Sequence, residues 1–217
     1  MKPYYKRSGI TIYHGDCREV LPTLKCSPSV TLTDPPYNVG LDYSSGDNRP
    51  GFDYETWCRS WFSLCQRPLV FTPGVINLSM WHGIQKPRWT CVWVKLNQSS
   101  PSGLNGWNVW EPVLVYGKPR KPVGHDAWVM PIARQKNVGD HPCPKFLPFW
   151  AQLVDRFSLP TDLILDPFVG VGTTLVAARS FGRKAVGIEI EERYCEIAAK
   201  RIDATLKAGR ERTTRAA

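Results

Sequence analysis

Thr33-Asp34-Pro35-Pro36-Tyr37 decides how the rest of this chain is read. The residues before it, Val30-Thr31-Leu32-Thr33, are β-branched and apolar, the composition of a short buried strand. Two prolines cannot continue a hydrogen-bonded ladder, so the strand stops there. A carboxylate, a rigid turn bearing a carbonyl, and an aromatic ring are thereby left at the carboxyl edge of a sheet. Ligands of open α/β sheets bind at that edge.

These groups suit methylation of an exocyclic amine on a flat base. An aromatic amine is a weak nucleophile because its lone pair is delocalised into the ring. The Asp34 carboxylate and the Pro35 carbonyl could accept both N–H bonds and draw the nitrogen towards a tetrahedral form. Pro36 helps to fix that carbonyl, and preorganised acceptors lower a barrier. Tyr37 could stack on the face of the base. The same tetrapeptide also occurs in ordinary strand-ending turns, so its reading depends on what accompanies it.

A second informative stretch lies in the C-terminal part. Leu163-Ile164-Leu165 reads as a buried strand, and Asp166-Pro167-Phe168-Val169-Gly170-Val171-Gly172-Thr173-Thr174 as a glycine-rich turn opening a helix to about Phe181. Ala185-Val186-Gly187-Ile188 is another strand and ends in Glu189. This is a nucleotide-type half-fold: glycines let the backbone approach a ligand, and helix N–H groups point at negative charge. Glu189 could accept both hydrogen bonds of a ribose diol. Leu175 stands where a dinucleotide fingerprint has its third glycine. Asp166 would repel a pyrophosphate and suits an ammonium, as at the methionine end of S-adenosylmethionine. Without a ligand, the turn would be a glycine-rich helix-packing turn.

The remaining chain supplies the sheet and its covering. Ile10–Tyr13 alternates as a strand, ends at His14-Gly15-Asp16-Cys17, and precedes a helix of about two turns to Leu24. Residues 54–66 read as a helix with Trp57, Trp61, Phe62 and Leu64 on its apolar face. Leu69–Phe71, Trp89–Lys95 and Val109–Tyr116 read as strands, the last two as a hairpin-like pair at one end of the sheet. Phe146–Phe157 and about Glu191–Leu206 read as helices, and residues 117–143 as irregular. The expectation is a single domain over 1–207, with a disordered basic tail at 208–217 and loop insertions at 38–54, 97–106 and 117–140.

Composition narrows the class. The chain has 217 residues, 42% hydrophobic and 22% charged, ordinary for a globular domain with a sizeable core. No apolar run approaches the ~20 residues of a membrane span, and the start lacks a signal-peptide core, so a cytoplasmic protein is expected. Seven cysteines without a Cys-x-x-Cys pair indicate neither a zinc site nor a disulfide framework. A net charge of +9 favours a polyanionic partner. Nine tryptophans are many for this length. Trp57, Trp61, Trp93 and Trp110 read as core, whereas Trp81, Trp89, Trp107 and Trp128 sit at loop edges, where packing and stacking on bases both fit.

Taken together, the chain resembles the amino-methylating DNA methyltransferases that carry Asp-Pro-Pro-Tyr, and is similar to their permuted beta subgroup, in which the catalytic turn precedes the cofactor turn. The resemblance runs through His14–Cys17, Asp34–Tyr37, Trp93–Lys95, Trp110–Tyr116, His141-Pro142 with Lys145, Asp166–Thr174 and Gly187–Glu189. It departs at Val171, where the family commonly has serine, and at Phe146, where proline is common.

The resemblance implies an α/β fold: a Rossmann-like, S-adenosylmethionine-dependent methyltransferase sheet with helices on both faces and a circularly permuted motif order. It places Asp34, Pro35, Pro36 and Tyr37 at the target amine and base. Phe168, Gly170, Gly172 and Thr173 would surround the methionine part, with Asp166 on its amino group and Lys145 near its carboxylate. Glu189 would hold the ribose, and Asp16 with Cys17 the adenine. Asp34 would border the cofactor as well, and no metal is required. The implied partner is double-stranded DNA, read by the three loop insertions, with a homodimer admitted because many members dimerise. A restriction-modification or phage setting follows from the resemblance alone. Adenine N6 is the implied target, since cytosine-N4 enzymes more often have serine at the position of Asp34. Cytosine N4, RNA methylation and a catalytically dead nucleic-acid-binding subunit are the alternatives.

Overall fold

In the computed structural model, residues 1–39, 52–97, 99–101, 105–132 and 145–216 are described. Residues 40–51, 98, 102–104 and 133–144, which include parts of the 38–54, 97–106 and 117–140 insertions as well as His141 and Pro142, lie outside them. The chain starts with a hairpin, β1 (Tyr5–Arg7) against β2 (Ile10–His14). Ser8 and Gly9 both have positive φ, 48° and 82°, as the tightest hairpin turn requires. Helix α1 (Cys17–Val20), with a 3-10 turn at Leu21–Thr23, leads to β3 (Val30–Thr33). Next come α2 (Tyr54–Phe62), β4 (Leu69–Phe71) and α3 (Leu78–Ile84). Then follow β5 (Trp89–Val94), a small β6 (Ser100–Pro101) and β7 (Trp107–Asn108) pair, β8 (Trp110–Tyr116) and β9 (Ala127–Val129). The chain continues through α4 (Leu147–Phe157), β10 (Leu163–Asp166), α5 (Thr173–Ser180), β11 (Lys184–Glu189) and α6 (Glu192–Ala216).

Among the described residues the main sheet has nine strands in the order β1-β2-β11-β10-β3-β4-β8-β5-β9. The central run β2-β11-β10-β3-β4 is parallel throughout. Strand β8 is antiparallel to both β4 and β5, so the expected end pair is present. The period-two rule divides each strand between two cores. Val70, Val113 and Val115 face the α4, α5 and α6 side, which includes Phe149, Leu175 and Ile202. Leu69, Phe71, Leu114 and Tyr116 face the α2 and α3 side, which includes Trp61 and Trp81. With both faces covered, the strands read as near-continuous apolar runs. The sequence therefore located them well.

Differences from expectation concern local elements. Strand β9 lies within a stretch read as irregular, and β1 and α3 carry elements where none was assigned. Helix α6 continues past Leu206, through the stretch expected as a disordered tail. Trp81 and Trp128 are 0% and 4% exposed, hence core, whereas Trp107 is 68% exposed. Phe146 is buried and stacks on Trp93, with ring centres 6.1 Å apart, so it is a packing residue.

Gly172 shows how closely the covering helices sit. Its φ is +84°, and an added Cβ would lie 2.8 Å from the Ala198 Cβ on α6. Gly172→Ala combines left-handed strain with overpacking, and is expected to cost about 2–4 kcal/mol. Thermal unfolding should report it as a fall of roughly 4–16 °C at this chain length. An unchanged midpoint would mean that α5 and α6 are not packed as described.

Candidate active site

Parallel register sends four strand ends to one edge. Glu189 of β11 pairs with His14 of β2, Asp166 of β10 with Gly187, and Leu165 with Thr31 of β3. Asp16 follows β2 and Asp34 follows β3, so four acids lie along the same carboxyl edge. The onward connections of β10 and β3 diverge, to β11 on one side and β4 on the other. Ligands of such sheets lodge at this kind of switch point. The cleft there is lined by Asp16, Cys17, Asp34, Pro35, Pro36, Lys145, Asp166, Phe168, Gly170, Thr173 and Glu189. All of these are expected site residues; Tyr37 and Gly172 are set back from it.

At one end, Glu189 Oε2 accepts the Gly170 N–H at 2.7 Å and Oε1 accepts the Glu191 N–H at 2.9 Å. Each oxygen keeps a lone pair for a further donor, as a diol requires. Burial pushes the Glu189 carboxyl up to about 7, against those two N–H bonds. Asp166 accepts the Thr33 hydroxyl at 2.6 Å and the Phe168 N–H at 3.0 Å. Burial raises it to about 6. A cation placed between such carboxylates would draw both to the ionised form.

Asp16 caps α1 through the Arg18 N–H at 2.8 Å and also binds the Arg18 side chain, which holds its carboxyl below the usual range. Cys17 is buried, and burial raises its thiol. Phe168 packs on Trp57 and Trp61, with ring centres 5.6 and 5.0 Å away. With Phe52 and Trp57 it forms an aromatic wall of the cleft. The arrangement fits the expected cofactor: a diol acceptor at Glu189, an ammonium acceptor at Asp166, and apolar rings between.

The other end holds the catalytic candidates. Prolines 35 and 36 turn the chain after β3, and Tyr54 Oη donates to the Pro36 carbonyl at 2.6 Å. Asn77 Nδ2 donates to the Tyr37 carbonyl at 2.9 Å. The Tyr37 ring lies on Gly74, where an added Cβ would come within 2.8 Å of it. Its hydroxyl is 2.6 Å from both Asp34 Oδ1 and Glu111 Oε1. A phenol has one proton, so it donates to one carboxylate at a time. The Thr72 hydroxyl donates to Asp34 Oδ1 as well.

Lys145, expected near the methionine carboxylate, lies with its Nζ 2.9 Å from Asp34 Oδ2 and 3.4 Å from Glu111 Oε1. A buried carboxylate and a partly buried one attract the nearest ammonium, which sets this position. Burial pushes Asp34 up, with Lys145 pulling it down and Glu111 pushing it further up. Burial also pushes Glu111 up, but Lys145 and Lys95 together hold it at about 2. Glu111 is the firmer anion because two ammonium groups face it.

Glu111, Thr72 and Gly74 received no role from the sequence. Glu111 reaches the edge because β8 runs antiparallel to β4, which brings its start to the end of the parallel strands. A signal existed: Glu111 is an acid inside the otherwise apolar run Trp110–Tyr116, 7% exposed.

Comparison with known proteins agrees with this geometry. Residues 95–200 match the family described as DNA methylase, N6_N4_Mtase. The type II methyltransferase M.ScaI of Streptomyces caespitosus is 29% identical over 258 residues, covering 94% of this chain and 84% of the relative. The PvuII DNA methyltransferase, described as cytosine-N4-specific, has the same fold, with a TM-score of 0.73 at 17% identity over 92% of this chain and 88% of that one. TTHA0409 of Thermus thermophilus, solved with S-adenosyl-L-methionine, superposes with a TM-score of 0.62 at 25% identity, over 89% and 93% of the two chains. Among the described residues, no helix is long and apolar enough to cross a membrane. A shared fold, a type II relative aligned over most of both chains, and motifs meeting at one cleft lead to one conclusion: this chain is similar to the N6/N4 DNA methylases.

Proposed function

We propose that this chain transfers a methyl group from S-adenosylmethionine to the exocyclic N6 amine of adenine in double-stranded DNA, in the cytoplasm of a bacterium. The observation that carries the proposal is the partly buried Asp34 carboxylate at the end of β3, on the same cleft as Glu189 and Asp166. TTHA0409, solved with S-adenosyl-L-methionine, and the type II relative support the cofactor and the DNA substrate. The net charge of +9 suits a polyanion.

When bound, S-adenosylmethionine supplies an electrophilic methyl group on a sulfonium sulfur. Glu189 holds the ribose diol, Asp166 the amino group, and Asp16 with Cys17 the adenine end. Phe168, Gly170 and Thr173 line the methionine part. The target base leaves the duplex, which costs a few kcal/mol. Asp34 and the Pro35 carbonyl accept its N–H bonds and turn the nitrogen lone pair towards the methyl group; the proton that the nitrogen must lose passes to Asp34 or to water. Tyr37 contributes through its hydroxyl, which fixes Asp34. Insertions 38–54, 97–106 and 117–140 are assigned to DNA reading. Asp34 in place of serine favours adenine over cytosine.

Labelled methyl transfer to duplex DNA, followed by nucleoside mass spectrometry, tests the reading. N6-methyldeoxyadenosine is expected. N4-methyldeoxycytidine would keep the mechanism and change the base, whereas label in RNA alone would replace the substrate. Asp34→Ala should lower turnover on the order of 10²–10³-fold or more, because a preorganised acceptor is lost. Cofactor affinity, followed by calorimetry, should stay near wild type; normal turnover in this variant would remove Asp34 from the mechanism.

Cofactor binding should also depend on pH. In the empty cleft, burial pushes Glu189 up to about 7 and Asp166 up to about 6. A diol and an ammonium both favour the ionised acids, so binding expels protons at neutral to mildly acidic pH. Affinity should rise with pH between about 5.5 and 7.5 and level off above. Calorimetry in buffers of different ionisation enthalpy would count the protons released. Glu189→Gln should flatten the upper part of the slope, and a pH-independent affinity would contradict the assigned contacts.

A further inference from the structure

Lys145 covers the groups that a target base needs. Its Nζ is 2.9 Å from Asp34 Oδ2, 2.9 Å from the Tyr37 hydroxyl and 4.5 Å from the centre of the Tyr37 ring. Asp34 Oδ1 already accepts the Thr72 hydroxyl and shares the Tyr37 proton with Glu111. The acceptor left for an incoming amine is therefore Oδ2, and an ammonium sits on it. Glu111 stands ready on the other side of that ammonium, 3.4 Å away through Oε1. Its second oxygen, Oε2, is pinned by Lys95 Nζ at 2.7 Å. The lysine is a single charge on a flexible stem, whereas the glutamate is fixed by its own strand and by Lys95.

Charge balance limits where Lys145 can go. Asp34, Glu111, Lys145 and Lys95 carry two negative and two positive charges. Withdrawal of Lys145 into solvent would leave buried Glu111 and partly buried Asp34 facing Lys95 alone, an unfavourable state. A short move from Asp34 onto Glu111 keeps all four charges within the group.

We infer that Lys145 is a placeholder for the target amine, and that Glu111 is its second seat: as the base enters, the ammonium leaves Asp34 Oδ2 and is retained by Glu111 Oε1. The inference rests on the reading of Asp34 as the acceptor of a base amine. No covalent bond forms or breaks and no proton changes owner in the exchange. Glu111 and Lys145 act through Asp34, as positioning residues. Tyr37, whose hydroxyl lies 2.6 Å from both carboxylates, keeps the two seats at a fixed spacing.

A double-mutant cycle on the full chain tests this, read as the single-turnover rate of methyl transfer to DNA with cofactor saturating. Glu111→Gln removes the charged second seat yet leaves an acceptor for Tyr37. The rate should fall about tenfold or more, with cofactor affinity near wild type. Adding Lys145→Met to that variant removes the competing ammonium and rebalances the charge, so the double variant should be several-fold faster than Glu111→Gln alone. A double variant as slow as Glu111→Gln, or slower, overturns the inference, because a purely structural pair would lose at least as much when both are changed.

Lys145→Arg is a second test that does not depend on the Glu111 variants folding. A guanidinium fork can hold both carboxylates at once and would not release Asp34. A rate about tenfold below wild type is expected, and a wild-type rate would overturn the inference. Failure of the amine reading is separate: there, the wild-type chain would methylate no base amine and Asp34→Ala would change nothing.

Discussion

Everything at the cleft depends on the parallel alignment of β2, β11, β10 and β3. Parallel strands share one carboxyl edge, so acids that are distant in sequence meet wherever each follows its own strand. Asp16 and Glu189 lie at adjacent strand ends because His14 and Glu189 are partners in the ladder. Asp166 and Asp34 come together at the switch point because β10 and β3 are neighbours whose onward chains diverge. Both faces of these strands are covered by helices, which removes water from the acids and raises Glu189 and Asp166. A site of this kind is costly when empty and well suited to a cationic, diol-bearing ligand.

The antiparallel end of the sheet makes a different contribution. Strand β8 runs against β4, so its first residues rather than its last reach the active edge. This brings Glu111 beside Asp34, and the end of β5 brings Lys95 beside Glu111. Two carboxylates in one buried pocket would repel, and Lys145 with Lys95 offsets that repulsion. The result is a charge-balanced group around Tyr37, whose ring is seated on Gly74 and whose hydroxyl touches both acids. The tyrosine is thus an organiser of acids.

Much of this was legible beforehand. Strands buried on both faces appear as apolar runs, and the prolines after Thr33 and the glycines after Asp166 mark where the chain must turn. Helices α2 and α4 announce themselves by apolar periodicity. Short edge elements were not legible: β1 and β9 have three residues each, too few for a period to show. Trp81 and Trp128 looked like loop-edge residues because burial by distant elements leaves no local mark. Gly172 looked like a ligand glycine, but its neighbour is Ala198, which only the packing of α6 reveals.

The amino-acid sequence by itself determined the α/β class, the order of the two motifs and the acids that end their strands, because each follows from local chemistry: propensity, turn geometry and charge at a strand end. Tertiary structure alone decided which of those groups touch. The seat of Lys145 between Asp34 and Glu111, the enlistment of Thr72 and Gly74, and the withdrawal of Tyr37 from the cleft wall all depend on strand order and direction. Those are long-range properties, set by how separate segments pack, and no local stretch of sequence encodes them.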